Sequence, residues 1–280
     1  MPQAEAVAVA VVGYRSDEVL GPFLSSVRSQ TTPPVELVMV DNSGPSESTR
    51  ALVEGAGARY VPLPDNPGYG GAMNLAVAQM PDTVRFVMIC NPDLVLGPDT
   101  IDRLMMALDE APERAAVGPL IRNLDGSVYP SARAIPSLST GVGHALFHRA
   151  WPRNPWTRSY HAEQEATIER DCGWLSGACL MVRRSAFEAV GGFDEDYFMY
   201  FEDVDLGYRL GQAGWRNSYV PATEVVHTGG HSTRGSAPQM SAAHHESAKR
   251  FLKKRYPSWW QAPIRAATSL GLDVRRRFAA

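Results

Sequence analysis

The 280-residue sequence has few of the features that mark disulfide-stapled or membrane-spanning proteins. Its only cysteines are Cys90, Cys172 and Cys179, and none belongs to a Cys-X-X-Cys pair, so we expect a reducing compartment rather than a disulfide framework. No apolar run approaches the roughly 18 residues that a membrane-spanning helix needs. The N-terminus lacks a basic stretch followed by an apolar one, so we expect no signal peptide and a cytoplasmic protein, soluble or peripheral to a membrane.

Net charge is also small. A value of −3 argues against a nucleic-acid-binding protein. The charge is unevenly distributed, however, because residues 249–280 contain nine Lys and Arg and a single acid, Asp273. That segment therefore carries +8 and the rest of the chain −11, which sets a basic C-terminal segment apart from the remainder.

The Gly-X-Gly-X-X-Gly motif of dinucleotide-binding proteins is missing as well. Residues 11–18, after the first apolar run, read VVGYRSDE. The glycine-rich stretch DNPGYGGAMN at residues 65–74 does not supply the motif, because Met73 and Asn74 interrupt it. This excludes a dinucleotide-dependent oxidoreductase, although the backbone of such a stretch can approach a phosphate or a sugar closely.

Strand patterns alternate with helix patterns over residues 1–120. Apolar, β-branched runs predict four strands, at residues 7–14, 36–44, 58–63 and 85–90. Strands that alternate with helices indicate right-handed βαβ units and a mostly parallel sheet. Ligands bind such sheets beyond the carboxyl ends of the strands, which is where Tyr14, Asp41 and Asp93 lie.

The middle of the chain has a different character. An Asp-Gly pair within residues 120–129 predicts a hairpin. Residues 130–170 lack periodicity and predict a long loop that covers a site. Residues 177–193 again predict a strand followed by a helix, and a further helix begins at Glu202.

Asp93 has two interpretations. It belongs to Asn91-Pro92-Asp93, directly after a buried run, and all three residues favour a turn. The alternative is a metal or substrate ligand, which its place at a strand end favours. Asp41 is similarly either a helix cap or the acceptor for the ring N–H of a pyrimidine, with Tyr14 beside the base.

Acids also crowd the sequence YFMYFEDVDL at residues 197–206. Glu202, Asp203 and Asp205 open a helix, where acids stabilise the helix end by themselves. The functional alternative is that Asp203 stays ionised beside aromatic side chains and acts as a general base. His227 follows a strand and precedes two glycines, and is either a structural histidine or a ligand.

In this order, six stretches resemble the family 2 inverting glycosyltransferases, which have the GT-A fold: VGY, VDNSG, NPGYGGAMN, NPDLVL, WLSGACLMVRRSAFEAVGGFDEDYFMYFEDVDL and VVHTGGHS. The resemblance implies an α/β GT-A domain over residues 1–232, with a nucleotide-sugar half at 1–120 and an acceptor half at 121–232. A basic helical segment follows at residues 233–280. The chain is most similar to bacterial family members that transfer L-rhamnose from dTDP-L-rhamnose. Their acceptor is polyprenyl-diphospho-N-acetylglucosamine, in synthesis of the linker between peptidoglycan and arabinogalactan.

The resemblance also implies a role for each candidate residue. Asp203 is the catalytic base. The donor nucleotide sugar is held by Tyr14, Asp41, Asn66, Gly70, Gly71, Asn74 and Asp93. The acceptor side comprises Trp174, which stacks on the acceptor sugar, together with Gly177, Glu202 and Asp205.

A divalent metal is implied by the same resemblance. Family members usually hold it with an Asp-X-Asp triad, and here Asn91 replaces the first acid of that triad. The implied protein ligands of Mg²⁺ or Mn²⁺ are Asp93 and His227. Diphosphate oxygens and water would complete the octahedron.

Three alternatives stay open. One is a non-catalytic sugar-nucleotide-binding protein. Another is a family 2 transferase with a different donor, or a different lipid or polysaccharide acceptor, because no residue specifies the sugar. The third concerns residues 249–280, whose basic side chains and two tryptophans predict docking on the anionic inner face of the cell membrane. That segment is otherwise a pair of solvated helices packed on the core, or the contact of a homodimer.

Overall fold

The computed structural model describes residues 7–137, 167–229, 237–263, 265, 266 and 268. Most of the predicted covering loop, and the basic residues at the C-terminal end of the sequence, lie outside the described residues.

Strands and helices alternate in the first half, as predicted. The strands β1 to β12 are Val7–Gly13, Glu36–Asp41, Arg59–Pro62, Phe86–Cys90, Leu94–Leu96, Arg114–Asn123, Val128–Tyr129, Ala132–Arg133, Arg170–Cys172, Trp174–Leu175, Cys179–Arg183 and Arg216–His227. The helices α1 to α7 are Asp17–Arg28, Glu47–Gly55, Gly68–Ala78, Thr100–Glu110, Arg184–Ala189, Glu202–Gln212 and Ala237–Arg255. A short 3₁₀ turn, Trp259–Gln261, follows α7. The predicted Asp-Gly hairpin is confirmed, since β6 and β7 pair antiparallel on either side of it.

A mixed ten-stranded sheet forms the centre of the molecule. Its main order is β3-β2-β1-β4-β11-β6-β12-β5, with β7 beside β6 and β9 beside β12. The first four strands are parallel, which confirms the predicted βαβ units. Strand β11 runs antiparallel to both β4 and β6 and so joins the two halves. Strands β8 and β10 form a separate two-stranded sheet.

The sheet is buried on both faces because helices cover both. Along β1 the valines at 7, 9 and 11 join one hydrophobic cluster, with Phe23 of α1, and the small Ala8 and Ala10 join the other. The second cluster includes Ala72 and Ala76 of α3, whose small side chains let this helix lie close to the sheet. This explains why the strand reads as a continuous apolar run.

One edge of the sheet collects the chain segments that form the site. Gly13 lies opposite Asp41 and Val11 opposite Cys90, so the parallel strands β1, β2 and β4 end together. Cys179 also lies opposite Cys90, so the antiparallel β11 begins at that edge. The residues that follow β1, β2 and β4, and those that precede β11, therefore converge.

Helix α7 packs on the acceptor half. Phe251 is 1% exposed and forms a hydrophobic cluster with Tyr197 and Val204. The Ser247 hydroxyl donates to the Met199 carbonyl at 2.9 Å. The first part of the basic segment is therefore part of the folded body of the protein.

Candidate active site

A cavity of about 550 Å³ opens at the edge where the strands end. One wall comes from the turn between β4 and β5 and from the end of β12. Another comes from residues 176–178 and from the first turn of α6, with Glu202 and Asp203. A third, apolar part of the wall comes from Phe198, Met199 and two residues of α7, Met240 and Ala243. The cavity is thus lined by both polar and apolar side chains.

Asp93 and His227 meet inside this cavity. Strands β5 and β12 pair antiparallel with Leu94 opposite His227, which places Asp93 beside the imidazole. Asp93 Oδ1 and His227 Nε2 are 3.1 Å apart. The backbone of Asp93 is fixed from the same side, because the Thr228 N–H and hydroxyl both donate to its carbonyl at 2.9 and 3.0 Å. The Tyr129 ring packs nearly perpendicular to the imidazole, with 5.6 Å between the two ring centroids.

This pair fits a divalent cation. Within the described part of the chain, no three His, Cys, Asp or Glu side chains come together as a metal site. When each metal–ligand distance in an octahedral ion is about 2.1 Å, two neighbouring ligand atoms lie about 3.0 Å from each other. The distance of 3.1 Å between Asp93 Oδ1 and His227 Nε2 matches this value. A carboxylate and an imidazole suit a first-row divalent ion whose other ligands come from substrate and water.

Glu202 and Asp203 form a second ionisable pair. Asp203 Oδ2 accepts a hydrogen bond from the Gly177 N–H at 3.1 Å, and Oδ1 accepts one from the Val204 N–H at 2.8 Å. Burial raises the pKa of the Asp203 carboxyl, and those backbone N–H groups oppose the rise. Burial, with the neighbouring charge of Asp203, raises the pKa of Glu202 to about 8. One oxygen of Glu202 is buried without a hydrogen-bond partner.

A strained turn presents this acid pair to the cavity. Tyr200 and Phe201 both have φ of +67°, a left-handed conformation that costs a non-glycine residue on the order of 1–3 kcal/mol. Two contacts hold the turn from outside: the Tyr69 N–H donates to the Phe198 carbonyl at 3.0 Å, and Ser247 of α7 binds the next carbonyl. Gly68 is required there, since a β-carbon on it would lie 2.2 Å from the Phe198 carbonyl oxygen.

Tyr14 and Asn66, which the resemblance assigns to the donor side, both line the cavity. Asp41 does not. Its carboxylate is 2% exposed and accepts hydrogen bonds from the Ser43 N–H and the Tyr60 hydroxyl, both at 2.9 Å. The following residue, Asn42, reaches the cavity instead. The side-chain oxygen of Asn42 is buried without a hydrogen-bond partner. In the sequence, only its position at the same strand end as Asp41 could have indicated that Asn42 belongs to the site.

The predicted donor-binding residues Gly70, Gly71 and Asn74 do not line the cavity. A β-carbon on Gly70 would lie 2.9 Å from the Phe193 β-carbon, so α3 packs closely at this point. The Asn74 amide donates to the Phe193 carbonyl and accepts from the Phe193 N–H, both at 2.9 Å. Sequence reasoning overlooked Tyr69, which lines the cavity and donates to the Gly177 carbonyl at 2.6 Å.

The predicted acceptor residues divide into two groups. Gly177 and Glu202 line the cavity. Trp174 lies elsewhere, where its indole N–H donates to the Ala134 carbonyl at 3.1 Å. Asp205 is fully buried and forms ion pairs with Arg209 at 2.6 Å and with Lys254 at 2.7 Å. Phe198, which is 47% exposed, is among the aromatic side chains that do line the cavity.

Comparison with known sequences places the chain in a family. Residues 2–245 match the family described as glycosyltransferase like family 2. The protein belongs to this family, so the resemblance seen in the sequence is confirmed. It is 46% identical to the N-acetylglucosaminyl-diphospho-decaprenol L-rhamnosyltransferase of Mycobacterium tuberculosis, over 97% of this chain and 92% of that protein. It is 28% identical to the rhamnosyltransferase WbbL of Escherichia coli K12, over 67% of this chain and 71% of the relative.

Solved structures confirm the GT-A fold. A mannosyltransferase from Pyrobaculum calidifontis, in complex with GDP-Man and Mn²⁺, superposes with a TM-score of 0.62 at 18% identity, over 98% of this chain and 71% of that chain. GalNAc-T7, solved with UDP, GalNAc and Mn²⁺, gives 0.64 at 13% identity over 90% of this chain. The chain spans 48% of the GalNAc-T7 chain, about half its length.

Proposed function

We propose that the protein transfers L-rhamnose from dTDP-L-rhamnose to polyprenyl-diphospho-N-acetylglucosamine, with inversion at the anomeric carbon. The 46% identity to the M. tuberculosis rhamnosyltransferase supports the sugar and the acceptor. The observation that carries the chemistry is that one cavity holds both a buried acid pair and a carboxylate–imidazole pair. An acceptor hydroxyl and a nucleotide diphosphate need those two kinds of group on either side of the reacting carbon.

Asp203 is the proposed base. The acceptor hydroxyl attacks the anomeric carbon, the bond from that carbon to the diphosphate oxygen breaks, and Asp203 takes the hydroxyl proton. Two buried carboxyls in sequence share their protons as a pair. With the pKa of Glu202 raised to about 8, the proton bound by the pair at neutral pH resides on Glu202. Asp203 is then the ionised partner, because two backbone N–H groups stabilise its charge.

Asp93 and His227 would hold Mg²⁺ or Mn²⁺. When bound, such an ion stabilises the negative charge on the departing dTDP. Tyr14 is proposed to flank the thymine, and Asn66 to contact the sugar-diphosphate. For Asp41 to accept from the ring N–H of the base, the base must reach a carboxylate that is buried and already accepts from Ser43 and Tyr60.

We also propose that residues 249–280 contact the anionic surface of the cytoplasmic membrane, where a polyprenyl-linked acceptor resides. In the described residues no helix has the length and apolar character to cross a bilayer. Trp259 and Trp260 are 85% and 61% exposed, directly after the basic end of α7. Tryptophan favours the headgroup level and basic residues favour anionic lipid, which supports a surface contact.

The reaction is tested with purified protein, decaprenyl-diphospho-N-acetylglucosamine in mixed micelles, and Mn²⁺. The donor panel is dTDP-L-rhamnose, a UDP-hexose and GDP-mannose. We expect product and free nucleotide from dTDP-L-rhamnose alone. Product from another donor would identify a different transferase of the same family. Donor binding without product in any arm would identify a sugar-nucleotide-binding protein.

A further inference from the structure

A second, open groove of about 690 Å³ lies between α7 and residues 194–198. It shares two wall residues with the active-site cavity, Phe198 and Ala243. The groove therefore adjoins the cavity at Phe198 and Ala243 and extends along α7 toward the basic end of that helix.

The groove is lined by four basic and three acidic side chains. Two of the bases are held by acids: Arg250 pairs with Asp196, and Lys254 pairs with Asp194 at 2.8 Å and with the fully buried Asp205 at 2.7 Å. The Lys254 contacts fix the wall of the groove, because a buried carboxylate holds one of them. The Arg250 pair is largely exposed, and pairs of that kind contribute little to stability and rearrange easily.

The two remaining bases differ in their contacts. Lys249 makes a long contact of 3.3 Å with the exposed carboxylate of Glu246. Lys253 is exposed and, within the described residues, has neither an ion pair nor a hydrogen bond. The groove thus carries one excess positive charge, and its unneutralised base is Lys253.

We propose that this groove binds the diphosphate of the lipid-linked acceptor, while the acceptor sugar lies on the Phe198 ring with its hydroxyl at Asp203. The proposal rests on the function proposed above. The order of groups in the structure is a carboxylate, an aromatic face and a set of bases. The order in the acceptor is a hydroxyl, a sugar ring and a diphosphate. Guanidinium and ammonium groups bind phosphate oxygens through charge-assisted hydrogen bonds.

The test is calorimetric titration of the full-length protein, without donor, using the water-soluble analogue farnesyl-diphospho-N-acetylglucosamine. Lys253→Glu should weaken binding roughly tenfold or more, the effect of losing a hydrogen bond to a charged group. Lys253→Arg should bind within about twofold of wild type, because it keeps the charge. Arg255→Glu is the matched control: Arg255 is on the same helix and in the basic segment, but stacks over Tyr208 and Tyr256 and does not line the groove.

Further arms separate the diphosphate from the sugar and from the bilayer. Octyl N-acetylglucosaminide lacks the diphosphate and serves as a competitor for the acceptor site. It should bind wild type and Lys253→Glu with equal affinity, and Phe198→Ala with lower affinity. Anionic vesicles without acceptor should bind Lys253→Glu and Arg255→Glu equally weakly, since each substitution replaces a positive charge with a negative one and so lowers the net charge by two. Equal analogue binding by wild type and Lys253→Glu overturns the proposal, as does equal weakening by Arg255→Glu or no analogue binding by wild type. Failure of the rhamnosyl-transfer proposal shows separately, as no release of dTDP from dTDP-L-rhamnose.

Discussion

Two pairs of ionisable side chains face the same cavity, and the fold holds them in opposite ways. Asp93 and His227 contact each other at 3.1 Å, so each has a polar partner before any ligand arrives. Glu202 and Asp203 are neighbouring carboxyls; burial opposes the ionisation of both, and the charge of Asp203 also opposes that of Glu202. The first pair is a favourable arrangement that a cation can enter. The second is unfavourable and persists because the surrounding structure fixes it.

The two pairs are also held in place by different parts of the fold. Asp93 and His227 are brought together by strand register, with Leu94 opposite His227. The acid pair depends on packing from distant elements: α3 contacts the strained turn at Phe198, and α7 contacts it at Met199. Buried groups held in costly states are frequent at reactive sites, which is why the acid pair is assigned the proton transfer.

Replacing Asp203 should have the largest effect. Asp203→Asn removes the proton acceptor and can keep only one of the two backbone contacts, because an amide has a single acceptor oxygen. Turnover should fall by about 10²–10⁴ while donor affinity is retained. Initial rates and donor titrations measure the two quantities. Asp205→Asn is the control, because Asp205 is on the same helix and paired with Arg209 and Lys254. It should lower the melting temperature rather than the turnover of folded protein, and near-normal turnover of Asp203→Asn would contradict the assignment.

Breaking the other pair should be less severe and should depend on metal. Asp93→Ala and His227→Ala each remove one proposed ligand, so the Mn²⁺ concentration for half-maximal activity should rise at least about tenfold. Affinity for dTDP-L-rhamnose in fixed Mn²⁺ should fall in parallel. Asp99→Ala removes an exposed acid paired with Arg103 and should change neither quantity. Unchanged metal dependence in either variant of the pair would show that the residue is structural.

A change of pH sharpens the comparison further. The pKa of Glu202 is 4.5 in the unfolded chain and is raised to about 8 in the folded protein. Between these two pH values the folded protein therefore holds a proton that the unfolded chain has already released. Stability is therefore lost as pH rises through that window, by up to about 1.4 kcal/mol per unit of pKa shift. Glu202→Gln lacks this titration, so its melting temperature relative to wild type should increase from pH 5 to pH 9. A difference that is flat across this range would show that Glu202 is ionised throughout.

The strands and helices follow patterns that are local in sequence, whereas the pairing of Asp93 with His227 came from the family resemblance and depends on the register of β5 and β12. The alternation along β1 fixes which residues face each helix layer, and strand ends in a parallel sheet share one edge. Asp41 shows where this reasoning stops. It lies at the predicted strand end, but the Tyr60 hydroxyl, 19 residues away, takes one of its oxygens. Such a side-chain contact across strands leaves no periodic signal.

The contribution of α7 to the cavity wall could not be predicted from the sequence, for a similar reason. Met240 and Ala243 line it from α7, in a segment whose composition indicated only basic helices. Their contribution depends on Phe251 inserting against Tyr197 more than fifty residues away. A helix pattern states which face is apolar, but not the surface on which that face packs.

The smallest expected effect concerns the membrane surface. Trp259 and Trp260 lie in a 3₁₀ turn with a capping box between Ser258 and Gln261, and both side chains are exposed. Exposed indole rings suit the headgroup level of a bilayer. Trp259→Ser with Trp260→Ser should lower binding to anionic vesicles about tenfold and leave melting unchanged, since each basic residue of the segment still contributes about 1 kcal/mol.

Co-sedimentation at low and high salt measures this binding. Substitution is preferable to truncation before α7 ends, because truncation would remove Phe251 from the core. Leu124→Ser, which changes an exposed apolar side chain in the hairpin turn, is the control and should sediment like wild type. If the tryptophan variant sediments like wild type but its sedimentation coefficient in free solution falls, the pair forms a contact between two copies of the chain. High salt should release wild type from the vesicles only in part, because the indole rings bind the headgroup region without charge and salt screens the basic residues alone.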